Sequence, residues 1–347
     1  MTLQELFGVE LPIIQAPMAG SQKSELAIAV SNAGGLGSLP CGMLSPNEIR
    51  AELSAIRAQT DRPYNVNFYT HPLPEKDPRR EAAWRALPSP YFKEYGMVLD
   101  DNPAAASRTP FSPAAADLLE DFRPSIMSFH FGLPAPDLLA RVKGWGAKVM
   151  ACATTVDEAR WLEKNGADAI VAQGLEAGGH RGMFLSKDLT TQAGTLALVP
   201  QIVSAVRVPV IAAGGIADAQ GVAAVVALGA AGAQIGTAYL LCPEASTSAV
   251  HRAALKSPRA AHTALTNLFS GRPVRAIMNR LMTELQLIHP AAPSFPLASI
   301  AIAELRSKAE PLGVDDFSPM SCGQNASGCG EIPAAALTRA LANLRNM

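Results

Sequence analysis

Residues 169–182 read AIVAQGLEAGGHRG, and this stretch decides the fold. A short run of small apolar residues (169–172) has the length of a strand buried on both faces, the pattern of a parallel sheet. It ends at a polar residue, Gln173, and opens into a loop with four glycines and one histidine, His180. Glycine backbone lets a flat or phosphorylated ligand approach the main chain. Histidine is the side chain that titrates nearest neutral pH. The stretch therefore predicts a ligand pocket at a strand end, with a catalytic or anion-binding imidazole.

Working outward, the same motif of short apolar run and helical stretch recurs on both sides. Candidate strands fall at residues 11–17 (LPIIQAP), 35–40 (GLGSLP), 64–69 (YNVNFY) and 125–130 (SIMSFH), then at 148–152, 169–173, 208–213 and 233–237. Helical segments lie between them at 24–33, 45–60, 155–165 and 218–228. Ser24 and Ser45 are the expected N-caps of the first two, the second with proline just inside its start. Alternation of strand and helix implies a parallel sheet, and eight units favour a (β/α)₈ TIM barrel. The open-sheet alternative lacks its signatures: Gly35 and Gly37 begin a dinucleotide fingerprint, but position 40 is proline, and no Walker A sequence is present.

The rhythm breaks at residues 71–122, a proline-rich excursion expected to hold helices and loops. It stops after residue 241. Residues 242–318 are expected to be a mainly helical segment over the barrel mouth, with 248–256 and 275–288 its clearest helices. Residues 319–347 are expected to return to the barrel and end in a helix over 331–347. The core barrel with its excursion is thus assigned to 1–241.

Composition narrows the functional class. The chain has 347 residues, 48% of them hydrophobic and only 5% aromatic, with a formal net charge of −1. That balance argues against nucleic-acid or polybasic membrane binding. No apolar run is long enough for a membrane span, and the start MTLQELFGVE lacks the marks of a signal peptide. Five scattered cysteines read as free thiols of a cytoplasmic protein. Cys322 and Cys329 lack the spacing of a zinc site, so no metal is expected.

On a barrel, active residues come from strand ends. Gly214, Gly215, Gly236 and Thr237, after the last two strands, stand where such barrels bind phosphate; tight turns alone would also use these glycines. Met18, Ala19 and Gly20 follow the first strand and could pack on a flavin ring, or form an ordinary loop. The amides of Asn67 and Gln173 match the donor and acceptor edge of an isoalloxazine, or could be structural. His130 ends a strand between two phenylalanines, where a structural and an active-site role weigh equally.

Taken together, these motifs resemble the class I nitronate monooxygenases, formerly called 2-nitropropane dioxygenases. The resemblance runs through residues 12–40, NVNFY, SFHFGLP, AQGLEAGGHRG, PVIAAGGIAD and AQIGTAYL, with GQNASG near the C-terminus as a further element. SFHFG together with EAGGHRG is the specific part; GGIAD and IGTA occur in many FMN barrels. Leu175 departs from the pattern, at a position expected to affect packing rather than chemistry. The resemblance implies an FMN-dependent enzyme that oxidises alkyl nitronates, such as propionate 3-nitronate, with O₂ to a carbonyl compound and nitrite. It implies His180 as the active-site histidine and His130 as a substrate contact. Met18, Ala19, Gly20, Asn67, Gln173, Gly178, Gly179, Gly214, Gly215, Gln234, Gly236 and Thr237 would line the FMN, with Gln324 reaching it from the C-terminal segment. The expected assembly is a monomer or homodimer. An NAD(P)H-dependent quinone or enoyl-thioester reductase on the same barrel is the nearest alternative. A phosphometabolite-binding barrel without flavin is more remote. An aldolase or isomerase would want a strand-end lysine or carboxylate, for which Lys23 and Glu176 are the nearest residues.

Overall fold

The computed structural model describes residues 1–75, 77–98 and 108–343. Eight parallel strands make one sheet: β1 (Ile13–Gln15), β2 (Gly37–Pro40), β3 (Tyr64–Tyr69), β4 (Ile126–His130), β5 (Lys148–Ala153), β6 (Ala169–Gln173), β8 (Val210–Ala213) and β9 (Gly232–Ile235). A further short strand, β7 (Gly179–His180), leaves the loop after β6. β1 pairs with β9 at one side. On the other side Leu36 N–H donates to Ile13 O and Gln15 N–H to Leu36 O, each at 2.9 Å. The sheet therefore closes into a barrel, and the expected strands are present in the expected order. Strands such as β6 are buried at every residue, as a sheet wrapped by helices requires.

The helices on the outside pack closely. Helix Ser24–Asn32 approaches β2 so tightly that a Cβ on Gly37 would lie 2.0 Å from Ala27 O. Helix Pro46–Gln59 has the predicted start, with a Ser45–Glu48 capping box and proline in its first turn. Ser24, by contrast, is not a cap. Lys23 occupies that position without a side-chain bond, and the Ser24 N–H is satisfied from a distance by the Glu52 carboxylate at 2.8 Å.

The segment over the mouth differs from expectation. Besides helices Ala249–Leu255, Arg280–Glu284 and Ser299–Ala309 it contains two strands, β10 (Thr263–Thr266) and β11 (Val274–Ile277). Residues 275–288 are therefore not one helix. β11 pairs antiparallel with β10 and with β7, which places His180 in a three-stranded sheet. Asn279, whose Oδ1 accepts the Met282 N–H at 3.2 Å, starts the helix five residues later than the apolar spacing suggests.

The excursion forms helices Pro78–Ala86, Ser89–Glu94 and Pro113–Glu120 among its described residues. Trp84, Tyr91 and Phe92 pack with Leu268, Phe269 and Phe317 in a core separate from that of the barrel. Trp84 Nε1 donates to Ala298 O at 3.0 Å. The first two excursion helices thus build the cap, although the sequence grouped them with the barrel. The last helix, Ala334–Leu341, is pinned by Thr338 to the Tyr239 hydroxyl at 2.8 Å. Residues 344–347, predicted to extend it, lie outside the described residues.

Candidate active site

The ends of β1, β3, β4, β6, β8 and β9 open into a cavity of about 230 Å³ roofed by the cap. Of the residues selected from sequence, Met18, Ala19, Gly20, Asn67, His130, Gln173, Gly178, Gly179, His180, Gly214, Gly215, Gln234, Gly236 and Thr237 all line it. Gln324 does not: its side chain is exposed and its N–H is tied to Glu176 O at 2.9 Å. Its neighbours Gly323 and Asn325 reach the cavity instead.

On one side the cavity is built of bare backbone. Gly214 and Gly215 adopt φ of +121° and +72°, conformations that favour glycine. The N–H groups of Gly215, Gly236 and Thr237 donate to no acceptor among the described residues. The Thr237 hydroxyl accepts the Gly323 N–H at 2.9 Å, leaving its proton to give. Ideal Cβ positions on Gly20 and Gly179 meet nothing within 4 Å. Free donors beside open space make a cradle for a phosphate and the chain attached to it. Beneath it the barrel is polar. Gln15, Gln22, Ser38, Asn65, Ser128 and Asn67 form a continuous hydrogen-bond chain. Asn67 spends its Nδ2 on Ser128 at 2.9 Å and keeps Oδ1 available.

On the other side lies His180. Its carbonyl accepts from Gln173 Nε2 at 2.9 Å and from His130 Nε2 at 3.1 Å. Gln173 Oε1 also accepts the Gly182 N–H at 2.8 Å. Gln173, expected at a flavin edge, is thus a clamp on the histidine loop. His130, expected to contact substrate, likewise commits Nε2 to that loop, because only an N–H can donate to a carbonyl. Arg181, not singled out from the sequence, is fully buried and locks the same loop. Its guanidinium donates to the carbonyls of Gln173 and Gly174 and to Gln192 Oε1, at 2.7–3.0 Å. Leu175 is held through its main chain, its O accepting Arg275 Nε at 3.0 Å.

The His180 imidazole meets Ser270 Oγ through Nε2 at 2.8 Å, and Ser270 in turn reaches Arg272 O at 3.4 Å. A proton on Nε2 completes that chain, leaving Nδ1 with a free lone pair. Around the ring stand Phe295 at 5.3 Å, Phe131 at 6.1 Å and Tyr69 at 6.4 Å between centroids. Phe131 has φ +78°, a costly conformation for a bulky side chain. Burial above all, then the charge of Arg108, holds the His180 pKa well below its ordinary value. Burial also lowers His130 and His71 to about 4. All three imidazoles are neutral at neutral pH. Cys322 and Cys329 are free thiols, both raised by burial, and no metal-binding cluster occurs among the described residues.

A barrel with an anion cradle on its last strands and a histidine of lowered pKa facing it fits an enzyme that holds a phosphate-bearing cofactor beside an uncharged imidazole. The chain belongs to the nitronate monooxygenase family, whose model matches residues 1–343. It is 43% identical to the nitronate monooxygenase of Pseudomonas aeruginosa, over 97% of this chain and 96% of that one. It is 35% identical to a probable nitronate monooxygenase of Staphylococcus aureus, over 93% and 91%. Among solved structures, a nitroalkane oxidase from Streptomyces ansochromogenes superposes with a TM-score of 0.90 at 36% identity, covering 99% of this chain and 98% of that one. FabK from Thermotoga maritima superposes with a TM-score of 0.71 at 27% identity, covering 98% and 94%. No helix among the described residues is long and apolar enough to cross a membrane.

Proposed function

We propose that this enzyme binds FMN and oxidises alkyl nitronates with O₂, yielding a carbonyl compound and nitrite. The observation that carries the reading is the juxtaposition of His180, neutral and enclosed by aromatic rings, with the donor cradle in one cavity. Membership of a flavoenzyme family supports FMN as the occupant of the cradle. The N–H groups of Gly215, Gly236 and Thr237 and the Thr237 hydroxyl would hold the phosphate. Gly20 and Gly179 leave room for the rest, and Asn67 Oδ1 would meet a ring N–H. Bound there, the flavin supplies the electron acceptor, a task that protein side chains do not perform.

The chain's own residues do the rest. Arg108 and Arg272 bring positive charge toward the site and attract the nitronate anion. Phe131, Phe295 and Tyr69 exclude water and strengthen that attraction. Burial and the neighbouring arginines disfavour the imidazolium form of His180, which supports a base role over pairing with the anion. The free Nδ1 of His180 is placed to take the α-proton of a neutral nitroalkane, with Nε2–H anchored on Ser270.

The purified protein is expected to be yellow, to consume O₂ and to form nitrite from propionate 3-nitronate. A colourless protein that takes up no added FMN overturns the reading. So does rapid anaerobic bleaching by NADH without nitronate turnover, which would favour the reductases. His180→Asn is expected to lose turnover on neutral nitroalkanes far more than on pre-formed nitronates; equal losses would remove the base role.

A further inference from the structure

We propose that Glu158 is a positioning residue for His180, holding the histidine loop in place as the buried counter-charge of Arg181. The inference goes beyond the reading of His180 as a base, and rests on that reading only where turnover of neutral nitroalkanes is measured.

Glu158 stands in the first turn of helix Val156–Lys164, whose cap, the Thr155 hydroxyl, accepts the Glu158 N–H at 3.2 Å. A glutamate at this position ordinarily bends back to the N–H of the cap residue itself. Glu158 passes it by. Its Oε2 accepts the N–H and the hydroxyl of Thr154, both at 2.7 Å. Its Oε1 accepts the N–H groups of Phe184 and Leu185 at 2.6 and 3.2 Å, from 26 and 27 residues further along the chain. The residue is buried. Both carboxylate oxygens are thus filled by neutral donors, two of them at the far end of the histidine loop.

Arg181 is the mirror case, a buried cation that donates to neutral oxygens at the entry of the same loop. Neither charge forms a salt bridge among the described residues. A relay joins them instead. Gln192 Oε1 accepts from Arg181 Nη2 at 2.9 Å, Gln192 Nε2 donates to Thr154 Oγ1 at 3.0 Å, and Thr154 donates to Glu158. Burial lowers the Arg181 pKa to about 10, and the Glu158 charge works against that fall. Buried charges persist where they are paired and hydrogen-bonded. The loop is therefore held between a cation at its first carbonyls and an anion at its last N–H groups. Between them the Arg181 N–H donates to Pro273 O at 2.8 Å, and Met183 O accepts Arg272 Nη1 at 2.9 Å. With Gln173 Oε1 on the Gly182 N–H, and Gln173 and His130 on His180 O, each residue from 180 to 185 has a main-chain group fixed from outside the segment. Proton transfer needs the imidazole within hydrogen-bond reach of the carbon acid, and a displacement of about 1 Å can cost on the order of a hundredfold.

The test uses flavin-loaded Glu158→Asp, which keeps the charge but shortens its reach to the loop by one methylene, and Glu158→Gln, which removes the charge. Thr155→Ala is the control, since it weakens the helix cap without touching the loop. Amide hydrogen exchange of residues 174–185, a thermal melt, and kcat and KM on nitroethane and on ethyl nitronate are measured for each. Both Glu158 variants are expected to exchange residues 180–185 about tenfold faster or more. They should lose about ten- to hundredfold in kcat on nitroethane, with KM and ethyl nitronate turnover changing about threefold at most. Thr155→Ala should melt lower yet keep loop exchange and the ratio of the two substrates. Unchanged loop exchange in both Glu158 variants overturns the proposal. So does an equal loss on both substrates that follows melting temperature in all three variants, the mark of a structural role alone. A wild type that oxidises ethyl nitronate but not nitroethane removes the base reading of His180, and loop exchange then decides the positioning by itself.

Discussion

Replacing Gln173 with methionine tests whether this residue holds the histidine loop or contacts the cofactor. The substitution keeps length and bulk but deletes both polar atoms. The Gly182 N–H, which gives its bond to Gln173 Oε1 at 2.8 Å, is left buried without an acceptor. That orphan costs about 1–3 kcal/mol. The His180 carbonyl loses its bond from Gln173 Nε2 but retains the one from His130 at 3.1 Å. The second loss is therefore smaller, about 0.5–1.5 kcal/mol. Together they weaken the docked loop by about 1.5–4.5 kcal/mol. At the lower figure roughly a tenfold loss in kcat/KM is expected, since about 1.4 kcal/mol corresponds to a factor of ten. Melting should fall on the order of 5 °C if the loss is felt globally. Steady-state O₂ uptake with a nitronate and a thermal melt, both on flavin-loaded protein, read these effects. Gln173→Glu should be worse, because a carboxylate oxygen would face the His180 carbonyl. Turnover and melting unchanged in Gln173→Met would refute the clamp. A loss confined to flavin affinity would return Gln173 to the cofactor edge.

Two further outcomes are expected. Gly37→Ala should destabilise the barrel by about 3 kcal/mol, because its Cβ would lie 2.0 Å from a main-chain oxygen that cannot move alone; a melt within 1 °C of wild type would contradict the packing. Stability should also fall on acidification from about pH 6.5 toward pH 4. His71, His130 and His251, lowered by burial to about 4, remain neutral in the fold while the unfolded chain takes up protons. Above pH 7 both states are neutral and the effect vanishes, so a melting temperature flat between pH 7 and pH 5 would contradict it.

The barrel was legible because its strands recur as short, mostly buried apolar runs separated by helical stretches, several of them opening into glycine at their ends. The cradle was legible for the same reason, being made of backbone at Gly214, Gly215 and Gly236. The cap was not. Its core joins Trp84 to Ala298 and Tyr91 to Glu284, contacts that leave no local period to read. Residues 275–288 have helical spacing, but Arg275 lies in a strand because β10 and β7 on either side supply its hydrogen bonds. Gln173 and His130, selected from the sequence, both line the cavity. Sequence assigned their polar atoms to ligands because a strand-end amide and imidazole reveal nothing of the main chain that folds back over them. Arg181 was missed because a lone arginine beside a histidine reads as solvated.

The pairing of β7 with β11 has a consequence for remodelling the enzyme. His180 is sequentially part of the barrel yet is stitched edge to edge into the roof. The roof is therefore not a detachable module. A chimera that imports residues 242–318 from another barrel would carry a foreign template for the histidine's own backbone, so substrate range and proton chemistry must be redesigned together.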